Sequence, residues 1–156
     1  MNRLLPWLLN VLWGGVLLAV SPVLLYRSLR HGKYRHSWRQ RLLGELPQMR
    51  DGSNPRFWFH AVSVGEVLLL ETVLGELTER EPRAEIVISV TTQTGLDLAR
   101  CRFPEHTVCC FPLDFSWAVR RAIRRIRPTR IVLVELELWP NFILEAARVG
   151  IPLSLV

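Results

Sequence analysis

The N-terminal part of the sequence lacks acidic side chains, and the first one in the chain is Glu45. Seven basic residues precede it: Arg3, Arg27, Arg30, Lys33, Arg35, Arg39 and Arg41. The chain of 156 residues carries a formal net charge of +6, but much of this excess is local and adjoins a hydrophobic segment. Such a distribution fits a membrane surface with anionic lipid better than it fits a nucleic acid.

Cysteine is also scarce. Cys101, Cys109 and Cys110 are odd in number and form no C-x-x-C pair. His106 alone among them is too weak a signal for a metal site, so we expect reduced, mostly buried thiols, no metal and no cofactor. The sequence also lacks internal repeats and low-complexity tracts, and its length suffices for one domain with a sizeable core.

The first 27 residues contain a long uncharged run, Leu4–Tyr26. At about 1.5 Å per residue, a helix of this length spans the hydrocarbon core of about 30 Å. The run predicts an N-terminal transmembrane anchor over residues 1–27, and the cations after it predict a cytoplasmic location for the rest. A cleavable signal peptide and a buried core helix are the alternatives. Residues 28–55 are predicted to form a basic juxtamembrane linker.

From residue 56 to residue 156, apolar runs alternate with amphipathic segments. The predicted strands are Phe57–Val62, Glu85–Thr91, Thr107–Phe111, Arg130–Val134 and Pro152–Val156. The predicted helices are Val64–Leu77, Gly95–Arg102, Ser116–Arg127 and Trp139–Val149. Strands without alternation, separated by helices, predict an α/β fold with a Rossmann-like parallel sheet.

The expected strand order, 3-2-1-4-5, makes the first and fourth strands neighbours at the switch point of the sheet. The loop after the first strand is followed by Glu66, within "HAVSVGE". The fourth strand runs into "VELELWPN", which contains Glu135 and Glu137. Because the carboxyl ends of parallel strands meet at one edge, we expect these acids to converge on one crevice.

Glu66 has two interpretations. Ser63-x-x-Glu66 has the spacing of a capping box, in which the glutamate has a structural role. The alternative is a catalytic base, favoured by Gly65, which is costly in a first turn unless a ligand or backbone approaches closely. A base beside a helix N-terminus needs a neighbouring carboxylate or desolvation, and Glu135 is the candidate neighbour.

The other polar positions are also open to two readings. Glu135 and Glu137 would point to one side if the strand persisted, although a solvated strand end is the alternative. His60 is interpreted as a packed, hydrogen-bonded histidine. The hydroxyl-rich "TTQTG", Thr91–Gly95, suits a sugar or phosphate, but helix capping is the commoner explanation.

The predicted helix after the third strand has a cationic face, formed by Arg120, Arg121, Arg124 and Arg125. A solvated face is the ordinary interpretation. Contact with lipid phosphates at the bilayer surface is the alternative.

In this order, "HAVSVGE", "TTQTG", "PLD" followed by a basic helix, and "VELELWPN" resemble the N-terminal half of 3-deoxy-D-manno-octulosonic acid (Kdo) transferases. These are bacterial inner-membrane glycosyltransferases that add Kdo from CMP-Kdo to lipid A precursor. The resemblance implies the N-terminal half of a GT-B architecture, with Glu66 as proton acceptor and Glu135 supporting the transition state. The remaining motif residues are then candidates for substrate binding: Ser63, Gly65, Thr92, Thr94, Gly95 and Glu137.

The resemblance also implies inversion without a metal, at the cytoplasmic side of the inner membrane. We expect residues 56–156 to be an incomplete acceptor domain, without the C-terminal donor domain that holds CMP, and therefore inactive alone. The alternative function is a membrane-tethered Rossmann-like module that binds lipid A or a protein partner without catalysis.

Overall fold

A computed structural model describes residues 4–31, 38–135 and 139–156. Within these ranges the chain alternates helices with strands. The helices are α1 (Leu4–His31), α2 (Trp38–Leu43), α3 (Val64–Arg80), α4 (Gln93–Arg102), α5 (Ser116–Ile126) and α6 (Pro140–Arg148). The strands are β1 (Arg56–Ala61), β2 (Glu85–Val90), β3 (Thr107–Cys110), β4 (Arg130–Leu133) and β5 (Leu153–Leu155).

The strands form one parallel sheet in the order β3-β2-β1-β4-β5. The predicted α/β class, the Rossmann-like sheet and the strand order are therefore confirmed. β1 lies at the centre, where His60 is opposite Ser89 of β2 and Leu133 of β4. The carboxyl ends of β1 and β4 are thus adjacent, as the switch-point argument required.

Both faces of the sheet are buried, which explains why the strands show continuous apolar sequence. Phe59 and Ala61 of β1 belong to the core on the side of α3 and α4. Trp58, fully buried, points into the second core, which contains residues of α5 and α6. Alternate residues of one strand therefore anchor helices on opposite faces.

The predicted N-terminal helix is present as α1, but the transmembrane anchor is not supported. Among the residues that the structure describes, there is no helix whose length and apolar character suffice for crossing a membrane. One side of α1 instead packs on the domain. Asn10 Oδ1 accepts a hydrogen bond from Ser116 N (2.9 Å), and its Nδ2 donates to Ser116 Oγ (2.8 Å). Trp13 stacks on Trp139, with ring centroids 6.3 Å apart.

The segment after α2 lies against the domain. Gly44 has a φ of +62°, and a Cβ there would collide with the backbone of Ala118 in α5. Leu46 is fully buried, and Met49 N donates to the carbonyl of Arg125 (3.0 Å). This part of the predicted linker is therefore packed against α5.

Candidate functional site

The candidate site lies where β1 and β4 end. Val134 N donates to His60 O (3.0 Å), so the backbone segments that follow β1 and β4 remain side by side past the last paired residues. His60 is opposite Leu133 in the register, which puts Val62 and Glu135, each two residues further on, at the same level of the sheet. The helix that begins after Val62 carries Glu66 in its first turn. Glu66 and Glu135 therefore follow adjacent strands at one edge.

Glu66 forms the predicted capping box at the start of α3. Ser63 Oγ accepts from Glu66 N (3.4 Å) and donates to Glu66 Oε1 (2.9 Å), which also accepts from Ser63 N (3.1 Å). Glu66 Oε2 accepts from Val62 N (2.7 Å). The side chain is buried, with 5% exposure. The predicted capping box is thus confirmed by its hydrogen bonds.

The cap does not use the full hydrogen-bonding capacity of the carboxylate. Two oxygens offer about four lone-pair sites, and the bonds from Val62 and Ser63 take three of them. Beside the carboxylate, Gly65 is exposed, and a Cβ on it would approach nothing nearer than Ser63 Oγ at 3.8 Å. In the described ranges, no protein group comes so close to residue 65 that only a glycine would fit there. The space beside Gly65 is therefore open to a ligand.

Glu135 stands immediately past the carboxyl end of β4. Its φ is +62°, a left-handed conformation that is uncommon for a residue with a side chain. Its N–H donates to Val156 O (3.0 Å), and its side chain is exposed. Glu135 and Glu137 were expected to point to one side only if the strand continued through both. The strand ends at Leu133, before Glu135, so this condition is not met. Glu137 itself lies outside the described residues.

The "TTQTG" loop is joined to the loop after β1. Thr92 Oγ1 caps α4 by accepting from Gly95 N (3.2 Å), and it donates to Val62 O (3.0 Å). A Cβ on Gly95 would lie 2.9 Å from Thr92 Oγ1 and 3.4 Å from the carbonyl carbon of Ser63. Helix capping is therefore confirmed here. Thr94 is exposed on the first turn of α4.

Asp114, the aspartate of "PLD", holds the start of α6, a role that the sequence did not reveal. Its two carboxylate oxygens accept from Asn141 N (2.9 Å) and Phe142 N (2.8 Å), in the first turn of α6. Trp139, at the N-cap position, provides no side-chain cap. Burial raises the pKa of Asp114 to about 6, against the opposing effect of the two backbone hydrogen bonds. Asp114 therefore fixes where α6 begins.

His60 is a packed histidine, as predicted. It is 1% exposed and stacks on Phe111 with ring centroids 3.6 Å apart. Its Nδ1 lies 3.1 Å from Ser89 O. Burial lowers the pKa of His60 to about 3, so the imidazole is neutral.

The cationic helix, α5, uses much of its charge within the protein. Arg120 pairs with the buried Glu145 of α6 (2.7 Å), and Arg121 pairs with Glu45 (2.9 Å). Arg125 donates through Nε to the carbonyl of Leu46. Arg124 is exposed. Contact of this face with lipid phosphates stays a prediction, and Arg124 is the member best placed for it.

Apolar side chains are exposed on α3 beside Glu66. The exposed fractions are 40% for Val64, 43% for Leu68 and 52% for Leu69. Within the described ranges there is no group of three or more His, Cys, Asp or Glu side chains arranged to hold a metal ion. The cysteines are free, with Cys109 and Cys110 buried and Cys101 exposed, which confirms the prediction that most are buried.

Residues 36–156 match the family model described as 3-deoxy-D-manno-octulosonic-acid transferase (kdotransferase). A 3-deoxy-D-manno-octulosonic acid transferase of Chlamydia muridarum is 33% identical over 150 residues, covering 92% of this chain and 35% of the relative. The transferase of Chlamydia pneumoniae is 38% identical over 131 residues, covering 83% of this chain and 30% of the relative.

A probable mitochondrial 3-deoxy-D-manno-octulosonic acid transferase of Arabidopsis thaliana is 31% identical over 142 residues, covering 88% of this chain and 31% of the relative. The chain thus spans about a third of the length of these relatives. The family model covers most of the chain, and its residues include both carboxylates at the sheet edge. The chain belongs to the 3-deoxy-D-manno-octulosonic-acid (Kdo) transferase family.

Proposed function

We propose that this chain is the acceptor-side part of a GT-B glycosyltransferase that moves Kdo from CMP-Kdo to lipid A precursor. Family membership supports the reaction class. The observation that carries the proposal is the arrangement of Glu66 and Glu135, which follow adjacent strands at the carboxyl edge of the sheet. Ligands of doubly wound folds bind outside this edge, at the switch point.

In the proposed reaction, a hydroxyl of the lipid A precursor donates a hydrogen bond to the unused lone-pair site of Glu66. The hydroxyl oxygen attacks the anomeric carbon of CMP-Kdo while Glu66 takes its proton, and CMP leaves with the electrons of the broken bond. The configuration at the anomeric carbon is inverted, and no metal takes part. Removing the proton as the bond forms prevents positive charge from building up on the attacking oxygen.

The proposed role of Glu135 is to stabilise the positive charge that develops at the reacting sugar. Its left-handed backbone supports this role, because residues held in sparsely populated conformations cluster at functional sites. Among the described residues, Arg127 is the other one with a side chain and a positive φ, and it ends α5, where this conformation is common. Glu135 ends no helix, so helix termination does not explain its conformation.

The remaining candidate contacts surround these acids. Ser63 and Thr92 offer hydroxyl groups at the edge that CMP-Kdo and the acceptor must approach, and Gly65 leaves room beside Glu66. Thr94, Gly95 and Glu137 complete the proposed substrate-binding set.

A lipid acceptor is supported by the apolar surface beside the proposed base. Val64, Leu68 and Leu69 expose apolar area on the helix that carries Glu66, and apolar patches of this kind mark lipid or protein contacts. Arg124 is the proposed contact for lipid phosphates. We accordingly propose that the protein works at the cytoplasmic side of the inner membrane.

Kdo transfer is proposed for a longer protein that contains this chain. The matched relatives are about three times as long as the part that they share with it. Binding of CMP-Kdo is assigned to a C-terminal donor domain outside residues 56–156, and the chain alone is expected to be inactive.

A binding module without catalysis is the second candidate. It is favoured by one observation: both oxygens of Glu66 are already engaged in the cap. In that case Glu66 stabilises α3, and the crevice holds lipid A or a protein partner without transferring a sugar.

Replacing Glu66 by Gln in the longer protein separates the two candidates. Loss of a general base lowers kcat by about 10²- to 10⁴-fold, whereas loss of a cap lowers stability by about 1–2 kcal/mol. Glu76→Gln is the matched control, because Glu76 lies on the same helix and pairs with Arg80 on the exposed surface. Lost transfer with an almost unchanged melting temperature supports the base, and retained transfer rejects it.

A further inference from the structure

The proposed reaction does not use His60, whose imidazole ring has one nitrogen on each side. On one side, Nδ1 lies 3.1 Å from the carbonyl oxygen of Ser89. A carbonyl oxygen can only accept, so Nδ1 must carry the proton of the neutral ring. Nε2 is therefore an acceptor with a lone pair. This nitrogen is buried and has no hydrogen-bond partner in the described part of the chain.

The hydroxyl of Ser89 does not change this assignment. Ser89 Oγ accepts from Trp58 Nε1 (2.8 Å) and donates to the carbonyl of Phe59 (3.2 Å). Its capacity to donate is thus used, and its proton is not available to His60 Nδ1. The hydrogen bonds of Ser89 therefore fix the tautomer of His60, with the proton on Nδ1 and the lone pair on Nε2.

A hydrogen-bond donor that lacks an acceptor lies next to His60. The indole N–H of Trp139 is also buried without a partner among the described residues. The two rings meet edge to face, with centroids 6.0 Å apart and an interplanar angle of 64°. Trp139 directly precedes Pro140, the first residue of α6, and lies four residues after Glu135. Buried polar groups in proteins are rarely left unpaired.

We propose that in solution His60 Nε2 accepts a hydrogen bond from the Trp139 indole N–H, which makes His60 a positioning residue. The movement that closes the pair is assigned to the Trp139 side chain, since His60 is held by its stack on Phe111 and by Ser89. The pair then ties Trp139, at the N-cap of α6, to the central strand β1. The consequence for catalysis rests on the proposed function, whereas the hydrogen bond does not.

The hydrogen bond is tested directly by NMR on the full, ¹⁵N-labelled 156-residue chain in detergent micelles. We expect a scalar coupling between the Trp139 and His60 nitrogens through the shared proton, and slow exchange of that indole proton with water. In Trp139→Phe, the His60 Nε2 resonance should move toward the position of an unbonded ring nitrogen. The matched control is Trp117→Phe, because Trp117 Nε1 donates to Leu42 O (3.0 Å) elsewhere in the fold.

Absence of the coupling, together with the same His60 Nε2 resonance in wild type and Trp139→Phe, overturns the proposal. It would mean that water satisfies both groups separately. The coupling is measured on the wild-type chain, so the test stands even if a variant does not fold.

The positioning role is tested separately in the longer transferase. His60→Phe keeps a ring to stack on Phe111 but removes both ring nitrogens, and Trp139→Phe removes only the indole N–H donor of the proposed pair. Each should lower kcat about ten-fold with little change in KM, and the double variant should lose no more than either single one. Observed coupling with unchanged kcat contradicts positioning, and a wild-type enzyme without transfer activity contradicts the proposed function instead.

Discussion

Removal of the Asp114 carboxyl group is the perturbation whose size the structure defines best. Asp114→Ala takes the acceptors from two backbone N–H groups, those of Asn141 and Phe142, both of which belong to fully buried residues. An unsatisfied buried donor costs about 1–3 kcal/mol, and α6 has no side-chain cap of its own to compensate. We expect a loss of about 2–4 kcal/mol in the free energy of unfolding at pH 4.

The loss should become smaller as the pH rises. The pKa of Asp114 is raised from 3.8 to about 6 in the folded protein by burial. A raised pKa means that the folded state binds the proton more tightly, so the stability contributed is present below pH 3.8 and is lost as the pH passes through about 6. This difference corresponds to about 3 kcal/mol. The wild type and Asp114→Ala should therefore differ less at pH 7 than at pH 4.

Urea unfolding followed by circular dichroism, at several pH values, measures both stabilities in the same detergent. Asp97→Ala is the control, because Asp97 is exposed on α4 and its hydrogen bond from Gln93 is a surface one (2.9 Å). The control should change stability by less than about 0.5 kcal/mol. A difference between wild type and Asp114→Ala that stays constant or grows from pH 4 to pH 7 refutes the reasoning.

Three further substitutions test the packing and the charged face. Gly44→Ala should lower the free energy of unfolding by about 2–4 kcal/mol, measured by urea unfolding, because the new Cβ meets the backbone of Ala118 and the φ is +62°. Gly95→Ala should lower the free energy of unfolding by about 1–3 kcal/mol in the same assay, since its Cβ would lie 2.9 Å from Thr92 Oγ1. An unchanged stability of either variant contradicts the close approach at that glycine. Arg124→Glu should weaken sedimentation with anionic vesicles without loss of melting temperature, and equal sedimentation would dismiss the lipid contact.

The sheet was predictable because its residues follow local rules. The apolar run at residues 131–134 is buried on both faces of the sheet, and this burial imposes the composition that identified the strand. The strand order followed from the connections, since alternating strands and helices admit few topologies. The ends were less accurate: the fourth strand stops at Leu133, one residue before its predicted end.

The roles of the basic residues were not predictable from spacing. The helical pattern of α5 gives an apolar face and a cationic face, but it does not say which cations have acidic partners. Glu45 and Glu145, which pair with Arg121 and Arg120, lie far away in the sequence. The same limit applies to α1: its uncharged run suggested an anchor, whereas Asn10 hydrogen bonds Ser116, more than a hundred residues later.

The candidate site was predictable in its placement and less so in its detail. Strand order alone brought Glu66 and Glu135 to one edge of the sheet. The capping box also followed from the spacing of Ser63 and Glu66. The left-handed backbone of Glu135 could not be predicted, because a local sequence of alternating Glu and Leu favours an extended chain.

The double-mutant cycle of Glu66→Gln and Glu135→Gln, measured as kcat in the longer transferase, tests the shared crevice most directly. If both carboxylates act on one reacting centre, each single variant loses activity, and the double variant loses clearly less than the product of the two losses. Independent, multiplying losses, or full activity of Glu66→Gln, would show that the two acids do not work together at this edge of the sheet.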